Sequence, residues 1–172
     1  SVQALQDTAK LLDRQMLKAA AQALHQARSV QIFGVAASAI PGDYLQYKLL
    51  RFGKSAQQYS DMHRAAMNAA TLSQEDLVVA ISSSGSTRDL LHVVKLARKR
   101  GVKILALSNT PSSPLASLSD MLLVAAKPEG PLSGGALNAK ISVMLLVELL
   151  AMSLIAIDER YAELSQQTAS AT

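Results

Sequence analysis

Apolar residues recur along this chain with two periods, and segments of the two kinds alternate. Between residues 2 and 27, Leu5, Ala9, Leu12, Met16, Ala20 and Leu24 fall three or four positions apart. That is the stripe of one amphipathic helix, or of two in succession. Residues 30–35 form a largely apolar run, read as a strand. A helix follows over 41–51, with Pro41 in its first turn. Gly53 separates it from a short strand at 55–59, and Asp61 is placed to cap a helix running to about Ala70. Residues 77–82 are a continuous apolar strand. The helix after Thr87 stops at Gly101, a natural C-terminal residue. A strand at 102–107, a turn at 111–114, a short helix and a last strand at 121–125 come next. A Pro/Gly loop over 127–135 leads into a long helix over 136–164. The polar tail 165–172 is expected to fray.

Strands alternating with helices predict an α/β fold, a three-layer α/β/α sandwich with a five-stranded parallel sheet. Continuous apolar strands suit a sheet covered on both faces. No repeat, linker or second domain interrupts the pattern. Residues 1–172 therefore read as a single domain: 1–28 a leading helix, 29–164 the α/β core and last helix, 165–172 the tail. The core must be aliphatic, because 49% of residues are hydrophobic and only 3% aromatic. The chain has no cysteine, which excludes disulfide and thiolate chemistry and suits a reducing compartment. No signal peptide opens it. The longest apolar stretch, 141–157, is interrupted by Ser142, Glu148 and Ser153 and is read as a buried helix rather than a membrane span.

The net charge of +4 favours anionic ligands without pointing to nucleic acid. The cluster Lys95, Arg98, Lys99 and Arg100 sits where a helix C-terminus would be, and cations there complement the dipole. There is no helix-turn-helix pattern and no basic stripe with interleaved aromatics. His25, His63 and His92 are scattered, so no metal site is expected. His25 and His92 are expected on helix surfaces.

Most of the candidate chemistry lies in residues 82–87. There an apolar strand runs into Ser82, Ser83, Ser84, Gly85, Ser86 and Thr87, and a helix follows at once. The first turn of a helix has unpaired N–H groups and a positive dipole end, and both favour an anion. The hydroxyls add donors, and Gly85 allows a close backbone approach or a positive φ. A second reading stands beside this one: Ser86 and Asp89 have the spacing of a capping-box variant, which would use the serines to cap the helix.

Ser82-x-Ser84-Gly85-x-Thr87 after a buried strand resembles the phosphosugar loop of the sugar isomerase (SIS) domain. The resemblance extends over about residues 30–150 and is nearest to the SIS domain of RpiR-type bacterial transcriptional regulators. Further segments that carry it are 32–38 (Ile-Phe-Gly-Val-Ala-Ala-Ser), 44–48 with 51–53, 59–63 and 112–116. It implies a flavodoxin-like strand order. It also implies that Ser38, Ser82, Ser84 and Thr87 bind a phosphosugar, joined by Ser83, Gly85, Ser112, His63 and Lys140. Asp61-Met62-His63 resembles a Ser-Asp-Pro-His segment of that family, and His63 either approaches the sugar, from this subunit or a neighbour, or simply packs. Lys140 stands where relatives carry arginine, and is either a ligand contact or an ordinary exposed lysine. The chain departs from the family at Ala36 and Ala39, where glycine is usual, and at Ser133 and Gly134. The same two alanines argue against a dinucleotide fingerprint after Gly34, so no nucleotide cofactor is expected.

By this resemblance the chain is the phosphosugar-binding effector domain of an RpiR-type regulator. It would be a cytoplasmic homodimer or homotetramer without membrane contact, and would reach DNA only through a helix-turn-helix module absent from it. No catalytic base matches the isomerase pattern. Neither Glu129 nor Glu148 matches the catalytic glutamate of those isomerases by motif, and Glu148, His63 or a residue of a partner subunit would have to serve if the chain were a sugar-phosphate isomerase. A dimerisation module with a vestigial pocket is the third possibility.

Overall fold

The structure, a computed structural model, describes residues 2–127 and 135–172. Two helices, α1 (Val2–Leu11) and α2 (Arg14–Gln26), precede β1 (Val30–Gly34). They are separate because the Asp13 carboxylate accepts from the Met16 amide at 3.1 Å and starts α2 afresh. A 3-10 turn (Ala36–Ser38) then leads to α3 (Ala39–Arg51), β2 (Ala56–Tyr59), α4 (Met62–Ala69), β3 (Leu77–Ile81) and α5 (Arg88–Lys99). The chain continues through β4 (Lys103–Ser108), α6 (Pro114–Leu118), β5 (Met121–Val124), α7 (Gly135–Ile157) and α8 (Arg160–Ser170).

The five strands form one parallel sheet in the order β2-β1-β3-β4-β5. Alternation along each strand sends side chains to opposite faces. Leu77, Val79 and Ile81 join one core with Leu24, Leu45, Leu49, Val147 and Leu150, beneath α2, α3 and α7. Val78 and Ala80 join the other with Ala65, Leu90, Val94, Ala97 and Leu115, beneath α4, α5 and α6. Both faces are covered, which is why the central strands β3 and β4 are largely apolar, while the edge strand β2 carries Gln57 and Gln58.

Three expectations change. The stretch read as one helix over 136–164 breaks after Ile157, where Asp158 binds the guanidinium and the amide of Arg160 and a new helix begins. The segment expected to fray is helical to Ser170 and is tied down by Arg51, which donates to Ser165 O at 2.7 Å. His25 is not a free surface group, because its Nδ1 lies 2.7 Å from the Tyr161 hydroxyl and links α2 to α8.

By length and composition, Ala139–Ile157 also passes as a membrane span, contrary to the reading of the sequence. In this fold it is a core helix, with Val143, Leu146, Val147, Leu150 and Leu154 buried against the sheet. Glu129, Pro131, Leu132, Ser133 and Gly134 lie outside the described residues.

At the N-terminal edge of the sheet, the buried Asp76 carboxylate fastens β3 to β1. It accepts from Arg28 at 3.0 and 3.2 Å, from the Ser29 hydroxyl at 2.7 Å and from the Ser73 amide at 2.9 Å. Burial pushes this carboxyl up, but the Ser73, Ser29 and Arg28 donors outweigh it and hold it below the usual carboxylate range. Asp76→Ala leaves these donors unpaired and is expected to cost about 2–3 kcal/mol. For a chain of this size that lowers Tm by roughly 4–12 °C, read by thermal denaturation. The folded-state pKa is depressed, so this stability is complete above the unfolded pKa and is lost as pH falls through the folded one. Asp76→Asn is expected to flatten that acid limb of the stability curve.

Candidate functional site

The loops that leave β1, β3 and β4 emerge side by side at the C-terminal edge of the sheet. That is the edge where open parallel sheets bind ligands. The switch in strand order falls between β1 and β3, and a cleft of about 360 Å³ opens there. Small-molecule sites commonly measure about 300–1,000 Å³.

The first wall is the loop after β1. Gly34 is required, because a Cβ there would stand 2.6 Å from the Ser38 carbonyl oxygen of the returning turn. The turn brings Val35, Ala36, Ala37 and Ser38 into the cleft. Ser38 is buried, and its hydroxyl accepts a hydrogen bond from Lys140 Nζ at 3.0 Å.

The second wall is the loop after β3. Ser82, only 3% exposed, accepts from the Gly85 amide at 3.0 Å, and its hydroxyl lies 3.3 Å from that of Thr87. The Ser84 hydroxyl accepts from the Ser86 amide at 3.1 Å. Gly85 has φ +66°, and a Cβ there would lie 2.2 Å from Ser113 Oγ. Conformation and space therefore both demand glycine. The capping-box reading is corrected: Thr87, not Ser86, is the N-cap of α5, and no side chain caps that helix. By contrast Asp13, Asp61 and Ser113 cap α2, α4 and α6 with side-chain oxygens. The start of α5 keeps its donors and its positive dipole end for something else.

The loop after β4 braces the second wall from behind. The Ser83 carbonyl accepts from the Asn109 amide at 3.2 Å, the Ser108 hydroxyl at 3.3 Å and the Thr110 hydroxyl at 2.9 Å. Leu115 N donates to Gly85 O at 2.9 Å. Reading the sequence did not assign these bracing roles, although a Ser-Asn-Thr run after a buried strand marks where such a brace would lie.

The third wall comes from Lys127, Ala139 and Lys140. Lys140 is not an ordinary exposed lysine, since it is only 6% exposed at the start of α7. Burial lowers its pKa from the usual lysine value. Among the described residues, no carboxylate pairs with it and none lines the cleft. Lys127 is a lining residue that the sequence did not suggest.

The structure thus gathers Ser38, Ser82, Ser83, Ser84, Thr87 and Lys140 around one cleft, with Gly85 forming the turn beneath. It does not bring in Ser112 or His63. Ser112 is exposed and outside the lining, while its neighbour Ser113 caps α6 and packs on Gly85. His63 is exposed at the start of α4, where its amide donates to Asp61 at 2.9 Å. Glu148 also lies outside the lining, bonded to the Tyr44 hydroxyl and paired with Lys48 at 3.2 Å. Among the described residues, no group of His, Cys, Asp and Glu is placed to hold a metal.

Gly85→Ala is expected to cost about 2–4 kcal/mol through left-handed strain and the overlap with Ser113. Tm falls by roughly 4–16 °C on that account. Ser113→Ala alone removes the α6 cap and is therefore the reference: on that background Gly85→Ala is expected to cost less, by the part due to the overlap with the side-chain oxygen, and no cost there would mean that the positive φ carries none.

Comparison with known proteins adds to the geometry. The SIS domain family matches residues 23–153. The HTH-type transcriptional regulator RpiR of Escherichia coli (strain K12) is 34% identical over 153 residues, covering 88% of this chain and 51% of that protein. The Vibrio vulnificus NanR protein, solved in complex with ManNAc-6P, is similar with a TM-score of 0.94 at 48% identity, over 99% of this chain and 64% of that one. The sugar isomerase domain of an RpiR transcription factor from Sphaerobacter thermophilus has a TM-score of 0.86 at 23% identity, over 98% of this chain and 93% of that one, a likeness of fold. The chain spans about half the length of the curated relatives it matches.

Proposed function

The chain belongs to the SIS domain family, and from that premise we propose that it is a phosphosugar-sensing effector domain of a transcriptional regulator. One observation carries the reading: a cleft lined by hydroxyls, an uncapped helix start and a buried lysine bonded to Ser38, with no carboxylate partner for it and no acid in the lining among the described residues. Such a set attracts and holds an anion. The first-turn amides of α5, with Ser82, Ser84 and Thr87, take the phosphate. Ser38 and Lys140 hold the sugar or a second anionic oxygen. NanR, solved with ManNAc-6P, makes that compound the first ligand to test.

Aldose–ketose isomerisation requires a base beside the sugar carbon. The described lining residues offer no carboxylate and no histidine, which supports a sensor over an enzyme. The role of His63, if it has one here, is to reach the ligand of a neighbouring copy. Association into a homodimer or homotetramer would use the outer stripe of α7, where Leu145 and Leu149 are half-buried and Met152 is 63% exposed. Ligand binding would then act by population shift, favouring one arrangement of paired domains. The Thr8 hydroxyl, which accepts from the Ala126 amide at 2.9 Å, ties α1 to the chain entering the cleft and offers a route for that shift. DNA would be contacted by a helix-turn-helix module outside these 172 residues, in the cytoplasm.

Thermal denaturation with ManNAc-6P, free ManNAc and inorganic phosphate tests the reading. At one hundred times Kd, a ligand of the folded state adds about 2.7 kcal/mol, or roughly 5–11 °C in Tm. The expected shift appears with ManNAc-6P or another sugar phosphate and not with the free sugar. Ser84→Ala and Thr87→Ala are each expected to weaken it about ten- to a hundredfold in Kd, the worth of a hydrogen bond to a charged group. No shift with any sugar phosphate, from a folded protein, would remove the reading. Conversion of a bound compound to its isomer would turn the sensor into an enzyme.

Lys140→Met separates binding from folding. Removing a buried cation that has no carboxylate partner among the described residues is expected to leave the unliganded Tm unchanged or higher, while phosphosugar affinity falls at least tenfold. In the wild type, affinity is expected to fall as alkaline pH deprotonates Lys140, at a pH below that of an ordinary lysine. Titration calorimetry across that range reads it, and Lys140→Met is expected to lose the dependence. For the assembly, Met152→Asp is expected to lower the molar mass seen by light scattering, and an unchanged mass would exclude that stripe as the interface.

A further inference from the structure

Ala36 is the one non-glycine residue with a positive φ among the described residues, at +53°. In this region Cβ of an L-residue crowds the following carbonyl oxygen. Such a conformation persists only where its surroundings over-determine it. Here they do. Gly34 lets the turn fold back until its own hydrogen atoms nearly meet the Ser38 carbonyl, and Ser38 is held by Lys140. Ala36 sits at the bend between them, exposed, with the cleft in front of it. Glycine would take this conformation without strain, so the fold itself gives no reason for a methyl there.

The position of the methyl does give one. The phosphate donors lie on the loop after β3, whereas Ala36 lies on the opposite wall beside Ser38 and Lys140. A ligand anchored by its phosphate at α5 presents its sugar to this wall. We propose that Ala36 is a specificity-determining residue, a steric stop that reads the sugar and not the phosphate. Hexose phosphates whose ring substituents reach toward this loop are rejected by the methyl, and those that leave the space free are admitted. This rests on the phosphosugar reading above.

The test is calorimetric titration of the wild type, Ala36→Gly and Ala36→Ser. The ligands are hexose 6-phosphates that differ at one ring carbon, in configuration or in hydroxyl against acetamido, with inorganic phosphate alongside. Ala36→Gly is expected to narrow the spread of Kd across the panel at least tenfold by tightening its weak members. Inorganic phosphate should change by less than twofold, and Tm should hold or rise. Ala36→Ser is expected to widen the spread. If the wild type binds a sugar phosphate and both variants keep its ranking and spread, the specificity role is overturned while the phosphosugar reading stands. A uniform loss of affinity in Ala36→Gly, or a lower Tm with the spread unchanged, also overturns it, since the methyl would then serve only to hold the loop. A wild type that binds nothing in the panel removes the phosphosugar reading and this inference with it.

Discussion

Because all five strands run in the same direction and both faces of the sheet are covered, the loops after β1, β3 and β4 are forced onto a single edge. The hydroxyls that line the cleft follow from that constraint. Gly34, Ser82 and Ser108 lie at or just beyond the ends of neighbouring strands, so short turns suffice to bring hydroxyls together. The opposite edge performs a different task. There Asp76, buried and supplied with donors from Arg28, Ser29 and Ser73, fastens the starts of β1 and β3. The pairing register set at one end fixes the relative height of the two binding loops at the other.

Within the cleft, two ordinary means of satisfying polar groups are missing together. The start of α5 has no side-chain cap, although three other helices in the same chain have one. Lys140 is buried and donates to the Ser38 hydroxyl, with no carboxylate partner among the described residues. Each arrangement costs stability when considered alone, since helix donors and a desolvated ammonium both need partners. Their placement on facing walls of one cleft makes a single anionic ligand able to satisfy both. This coincidence is stronger than either feature, because uncapped helix starts and buried lysines each occur for purely structural reasons.

The order of elements was legible because buried parallel strands are continuous apolar runs and the helices between them carry a clear stripe. The break at Asp158 was not, since apolar spacing continues on both sides of it and only the carboxylate's bonds to Arg160 end the helix. Among the candidate site residues, the family resemblance pointed to Ser38, Ser82, Ser84 and Thr87 and the strand ends gave the edge on which they lie, and all four line the cleft. Ser112 and Ser113 show the limit. Adjacent serines are equivalent in a sequence pattern, yet one is exposed and the other caps α6 and packs on Gly85. The burial of Lys140 was equally hidden, because it results from the packing of α7 against the sheet and the turn at Ser38 and not from any local period. The capping-box reading failed by one residue, with Thr87 rather than Ser86 entering the N-cap position.

The same geometry bears on sensing versus catalysis. A base working on a sugar carbon must lie in the cleft and must exchange protons near neutral pH. Glu148 is spent on Tyr44 and Lys48, on the outer side of α3 and α7, and so stabilises that helix pair instead. Lys140 does lie in the cleft, but the charge that would hold an anion there conflicts with a role as a base: protonated it abstracts nothing, and neutral it loses much of its attraction for an anion. A cleft whose only described titratable lining groups are two lysines is suited to attracting and holding an anion. The rigidity of the walls points the same way. The loop after β3 is braced by three donors to one carbonyl, and the loop after β1 is locked by the Ser38–Lys140 bond. The lysine-bearing wall is tied in turn to α1, because the Ala126 amide, next to Lys127, donates to the Thr8 hydroxyl.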